Sequence, residues 1–192
     1  MSTDRPSKHG AIVLAAGASK RLGRPKQLVE IGGEPLLRRV VHAVLATAAL
    51  ECIVVLDESA PFDAALATLD VHIVRIPDAA TGMAASLRAG VAALDRTCDG
   101  ALIVVTDQPA LDARHLHALC TAWRAAPAFA IASAYAGVIG VPALLPRSWF
   151  DAIATLSGDV GARELLRSRP DVIAIASPDL ARDIDTPRDI AP

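Results

Sequence analysis

Six short apolar runs, residues 11–15, 52–56, 72–76, 101–106, 129–134 and 172–176, recur along the 192-residue chain with alanine-rich stretches between them. None alternates polar with apolar residues, so each is expected to be a strand in a sheet covered on both faces. Parallel neighbours need crossover connections, and residues 35–50, 61–69, 83–95 and 112–125 have the length and spacing of crossover helices. In 35–50, Leu36, Leu37, Val40, Val41, Val44 and Leu45 fall on one face, with Arg38, Arg39 and His42 opposite. Thirty-nine alanines against six aromatic residues call for a core close-packed from small side chains.

The expected architecture is therefore α/β: a single-domain, Rossmann-like three-layer sandwich, mostly parallel, with helices on both faces. In the last third the alternation lapses. Residues 138–145 lead directly into helical stretches near 149–156 and 160–167, which predicts an antiparallel edge strand capping part of the sheet. Residues 1–9 are polar, lack a signal-peptide apolar stretch and read as a disordered lead-in, with 10–192 as one domain.

Nineteen Lys and Arg against 21 Asp and Glu give a net charge of −2, too little field to hold nucleic acid or an anionic membrane. Cys52, Cys98 and Cys120 lie far apart without ligand spacing, so neither a disulfide framework nor a zinc site is expected, and a reducing, cytoplasmic setting fits. Residues 125–146 carry no charge and are long enough to cross a bilayer. Pro127, Gly137, Gly140, Pro142 and Pro146 interrupt them, however, so two buried strands around a loop are expected instead.

Ligands of open parallel sheets bind beyond the carboxyl ends of strands. The first such loop, residues 14–26 (LAAGASKRLGRPK), combines Gly17, Ala18, Ser19 and Gly23 with Lys20, Arg21, Arg24 and Lys26. Small residues let backbone N–H groups approach a phosphate, and the cations neutralise it. The spacing is not that of the NTPase P-loop, because Arg24 follows Gly23, nor of the dinucleotide fingerprint, because Ser19 stands two after Gly17. An ordinary basic turn is the competing reading; four cations in a mildly acidic chain favour the anion site. No Ser/His/Asp hydrolase arrangement is seen and Ser19 is not in a GxSxG elbow. His9 is assigned to the lead-in, His42, His115 and His117 to helices, and His72 to a strand start.

Further along, VTDQP presents Asp107 at the end of a buried strand, while Asp112 is better placed to cap the next helix. In DIDTPRD, alternation would put Asp183 and Asp185 on one side of an extended strand, unless the segment is only a turn before Pro187. Ser86 reads nearly as well as a simple first-turn helix residue, and GDVGAR, with Asp159 at the helix start, as a capped helix.

In order, LAAGASKRLGRPKQLVEIGG, TGMAASLRAG, VTDQP, GVP, LSGDVGAR and DIDTPRD resemble the motifs of the MobA-like nucleotidyltransferases, in particular the cytidylyltransferase branch. The resemblance runs from near residue 10 to near residue 190, with Leu22 where that family usually has Met. It implies transfer of CMP from CTP to the terminal phosphate of molybdopterin, release of pyrophosphate and dependence on Mg²⁺. Leu14, Ala15, Ala16, Gly17, Ser19, Arg21 and Lys26 would then bind the nucleotide, with Gly82 and Ser86 at its base. Asp107 and Asp185 would hold the metal, and Arg21, Lys26 and Asp107 would be catalytic. Gly140, Pro142, Asp159 and Arg163 would meet the acceptor. A molybdoenzyme or its insertion chaperone is an implied partner. Guanylyl transfer to the same pterin, nucleotidyl transfer to a sugar or alcohol phosphate, and a non-catalytic cofactor carrier are the alternatives.

Overall fold

Each of the six apolar runs forms a strand of one seven-stranded sheet in the computed structural model, which describes residues 6–19, 21–77 and 82–190. In chain order the elements are β1 (His9–Leu14), β2 (Glu30–Ile31), β3 (Glu34–Pro35), α1 (Leu36–Leu45), β4 (Cys52–Asp57), α2 (Asp63–Leu66), β5 (His72–Ile76) and α3 (Met83–Ala93). There follow β6 (Gly100–Val105), α4 (Ala113–Ala125), β7 (Ala130–Tyr135), β8 (Val138–Pro146), α5 (Phe150–Ala154), α6 (Ala162–Ser168) and β9 (Val172–Ala176). The sheet order is β5-β4-β1-β6-β8-β7-β9. All neighbours pair in parallel except β8, which is antiparallel to both β6 and β7.

The antiparallel strand expected in the last third is thus present, but it lies inside the sheet, and β9 takes the edge. A two-residue turn explains its direction. Ala136 and Gly137 adopt φ +48° and +74°, the left-handed pair that closes a tight hairpin between Tyr135 and Val138. No helix among the described residues is long and apolar enough to cross a membrane.

The core has two halves, one on each side of the sheet. Along β1, Ala11 and Val13 pack into the half that holds α1 and α4, with Leu37, Val41, Leu119 and Trp123. Ile12 and Leu14 point to the other, with Leu87 of α3, Ile153 of α5 and Trp149 just before α5. This alternation makes three layers and explains why a central strand is apolar throughout. The edge runs fare differently: in β9 the side chains are half-buried to exposed, Ile173 being 41% accessible, because one flank has no neighbouring strand.

His9 departs from its assignment to the lead-in. It opens β1 and is buried, its Nε2 lying 3.3 Å from Thr47 Oγ1 and 3.5 Å from Cys120 Sγ. Burial, reinforced by the charge of Arg124, holds its pKa down at about 4. The three cysteines are free and buried, and burial raises their thiols, Cys52 to about 12. The segment with Asp183 and Asp185 is not a strand. It is irregular and runs into a single 3-10 turn, Pro187–Ile190.

Candidate active site

From β1 the chain builds outward to β4 and β5 on one side, then returns to β6 on the other, so strand order reverses between β1 and β6. Leu14 pairs with Val105, and the loops that follow these two residues leave the sheet side by side. The crevice expected at such a reversal is there. It consists of clefts of about 940, 260 and 190 Å³ that all have Gly17 in their walls.

The phosphate-loop candidate forms one rim. Ala15, Ala16 and Gly17 line the largest cleft with Ser19, and Leu14 lines the second. Ser19 Oγ accepts from Lys26 N (3.0 Å), and Leu22 N donates to Ser19 O (3.0 Å), which folds the loop back on itself. Beneath it lies Gln27, 1% exposed, whose amide donates to Ala15 O (2.7 Å) and Gly17 O (3.0 Å). Lys20 is outside the described residues.

Four charged side chains meet at the loop's far end. Lys26 Nζ lies 2.9 Å from Asp107 Oδ2 and 3.5 Å from Asp185 Oδ1, while Arg21 donates to Asp185 Oδ2 at 2.7 Å. Sequence separations of 81 and 164 residues are closed by backbone contacts. Ile184, fully buried, donates its N–H to Asp107 O (2.7 Å), fastening the late loop to the end of β6. Asp189 then accepts from Thr186 N, Thr186 Oγ1 and Asp185 N, which sets the turn that presents Asp185. Asp112 caps α4 by accepting from His115 N (2.9 Å), leaving Asp107 free of that duty.

Asp183 is the third acid here. Partial burial raises its carboxyl to about 6, with a further push from the Asp107 and Asp185 carboxylates and an opposing pull from Lys26 and Arg163. Among the described residues no three His, Cys, Asp or Glu side chains form a ready cation cage. The chemistry of Asp107 and Asp185 nevertheless fits a hard divalent ion, which usually takes one or two protein carboxylates and completes its shell with water and phosphate oxygens. Both carboxylates already sit against one cationic centre, the Lys26 ammonium, so the position suits positive charge.

On the opposite rim, Gly82 precedes α3 with φ +101°, a conformation that side chains rarely adopt. Its Cα faces the Gly158 carbonyl, to which Ala84 N also donates (3.2 Å), so the two loops are in direct contact there. Ser86, largely buried, and Gly82 both line the second cleft with Lys26 and Asp107. Thr81, in the same motif, is outside the described residues.

The four acceptor candidates divide. Asp159 lines both larger clefts, and Arg163 exerts its charge on Asp183. Gly140 and Pro142 belong to β8 and are buried; there Val141 O accepts from Gln108 Nε2 and Tyr135 Oη, and Pro142 O from Ser133 Oγ. Neither lines the three clefts. Asp159 is not at a helix start, because Gly161 holds that position and donates its N–H to Glu164 Oε2. Sequence reasoning missed Gln27, Asp57, Ser59 and Phe62. Asp57 ends β4, Ser59 and Phe62 follow it, and all three wall the largest cleft; the signal available was their position at a parallel strand's carboxyl end.

Known proteins can be set beside this geometry. The family model for the MobA-like NTP transferase domain matches residues 11–172. Nicotine blue oxidoreductase of Paenarthrobacter nicotinovorans is 34% identical, over 96% of this chain and 95% of its own. Purine catabolism protein PucB of Bacillus subtilis is 31% identical, over 82% and 80%. The crystal structure of Rv0371c from Mycobacterium tuberculosis superposes with a TM-score of 0.83 at 28% identity over 96% of both chains. A second structure of Rv0371c, a complex with manganese, has a TM-score of 0.79.

Proposed function

This chain belongs to the MobA-like NTP transferase family, and we propose that it transfers CMP from CTP to the terminal phosphate of molybdopterin, releasing pyrophosphate, with Mg²⁺ held by Asp107 and Asp185. The observation that carries the reading is the convergence of Lys26, Asp107 and Asp185 beside the Gly17 loop, at the crevice where a parallel sheet takes its ligand. The manganese complex of Rv0371c supports a divalent ion in such a site.

When bound, the ion neutralises charge that builds on the phosphates as pyrophosphate leaves. The protein's own part is positioning and electrostatics. Loop amides near Gly17 receive phosphate oxygens, and Arg21, mostly solvent-exposed at the rim, is free to swing onto the triphosphate. Lys26 exchanges an Asp107 oxygen for a phosphate oxygen without leaving the cleft. Its charge then moves with the departing pyrophosphate, where it lowers the barrier most. The acceptor phosphate, with a second pKa of about 6, is already a dianion near neutral pH and needs no general base. Ser86 and the Gly82 turn face the base, while Asp159 and Arg163 flank the acceptor.

The deciding experiment measures pyrophosphate release with CTP, GTP and ATP against molybdopterin. Release with CTP well above the other two is expected, and Asp107→Ala should abolish it while circular dichroism stays unchanged. Retained turnover in that variant overturns the roles assigned here.

A further inference from the structure

We infer that Gln27 is the positioning residue that turns the phosphate loop outward, by drawing the Ala15 and Gly17 carbonyls into the protein. The inference rests on the reading of residues 14–26 as an anion site, and not on which base or acceptor is used. Gln27 is polar yet 1% exposed, and its amide nitrogen donates to Ala15 O at 2.7 Å and Gly17 O at 3.0 Å. Both partners are carbonyl oxygens, which only accept, so the amide's orientation is chemically determined. Its oxygen in turn receives the Ser19 hydroxyl at 3.5 Å, and Ser19 Oγ accepts from Lys26 N.

The consequence follows from peptide geometry. In a trans peptide the C=O and the next N–H point in opposite directions. Pulling Ala15 O and Gly17 O toward Gln27 therefore aims the N–H groups of Ala16 and Ala18 away from it, on the side where Ala16, Gly17 and Ala18 wall the 940 Å³ cleft. Among the described residues, the N–H groups of Ala16, Gly17 and Ala18 meet no hydrogen-bond acceptor. They can donate to an anion placed in the cleft. An added Cβ at Gly17 would meet nothing within 4 Å, so the space in front of the loop is open. One buried side chain thus orients two donors and, through Ser19, the stem that carries Lys26.

The probe is inorganic tripolyphosphate, which tests the loop independently of base and acceptor. Gln27→Met keeps the side chain's length and removes both donors. Calorimetry should show its affinity for tripolyphosphate reduced at least tenfold. Val40→Ala, in the buried face of α1, serves as the stability control and should bind within twofold of the unaltered protein. In the transferase assay, KM for the nucleotide should rise about tenfold with kcat changed less than threefold. Binding by folded Gln27→Met within twofold of the unaltered protein overturns the inference. Should that variant not fold, hydrogen exchange on the unaltered protein decides. Tripolyphosphate should slow exchange at Ala16 and Ala18, and unchanged rates there overturn the inference. A chain that binds tripolyphosphate in this way but releases no pyrophosphate would refute the proposed reaction and leave the role of Gln27 standing.

Discussion

Lys26 is the residue on which most of the candidate chemistry converges. The chain uses arginine for 16 of its 19 cations, yet here a lysine stands with a side chain only 14% exposed, against two carboxylates at 2.9 and 3.5 Å. A compact ammonium fits between them; a planar guanidinium, which needs a wider coplanar arrangement, does not. Lys26→Arg should therefore lower kcat/KM by about tenfold, equivalent to about 1.4 kcal/mol, and steady-state kinetics will show it. Wild-type kinetics would mean that any cation serves. Lys26 and Asp107 were legible because each occupies a recognisable place, a glycine-rich basic loop and a strand's end. Gln27 was not, since one glutamine in a polar loop carries no pattern until its burial is known. The Asp183–Asp185 pair was readable as acids but not in geometry. Alternation applies to extended strands, and here the buried Ile184 and the Asp189 carboxylate set the backbone instead.

At the scale of elements, the junction of the Gly82 turn with the Gly158 loop is the tightest point of the site. With φ at +101° and the Gly158 carbonyl in the way of any Cβ, Gly82→Ala is opposed both by backbone strain and by collision. The expected loss is about 2–4 kcal/mol, to be read as a lower urea midpoint at unchanged slope. The strands were legible to within a residue or two because burial on both faces leaves an unambiguous apolar run. The β2–β3 hairpin was missed, although Gly32 and Gly33 at φ +63° and +81° are the signature of its turn, because two-residue strands are too short to show periodicity. The expected helix at 35–50 shortens to Leu36–Leu45 at both ends: Pro35 is taken by β3, and the chain turns after Leu45 through Ala48, whose φ of +55° is not helical. The interior position of β8 was beyond reach, since strand order is set by which loops are short enough to hairpin, here Ala136–Gly137.

For the molecule as a whole, His9 couples three elements, β1, the end of α1 through Thr47, and α4 through Cys120 and Trp123. It is neutral when folded, with a pKa near 4 against the ordinary 6.5. The unfolded chain takes up the proton first as pH falls, so the stability from this group is complete above 6.5. It is lost progressively from 6.5 down to about 4, by up to about 3 kcal/mol. The difference in stability between the unaltered protein and His9→Gln, taken by denaturation at a series of pH values, isolates that slope from the opposing one of Asp183, whose carboxyl is raised. The sheet's order has a consequence in time as well as in space. The central pair β1–β6 joins residues some 90 positions apart, whereas β7 and β8 meet across two residues. Closing a long loop is slow and a hairpin is quick. Amides of β7 and β8 should therefore gain protection in a refolding pulse-labelling experiment before those of β1. On that schedule, the crevice between β1 and β6 is the last part of the protein to exist.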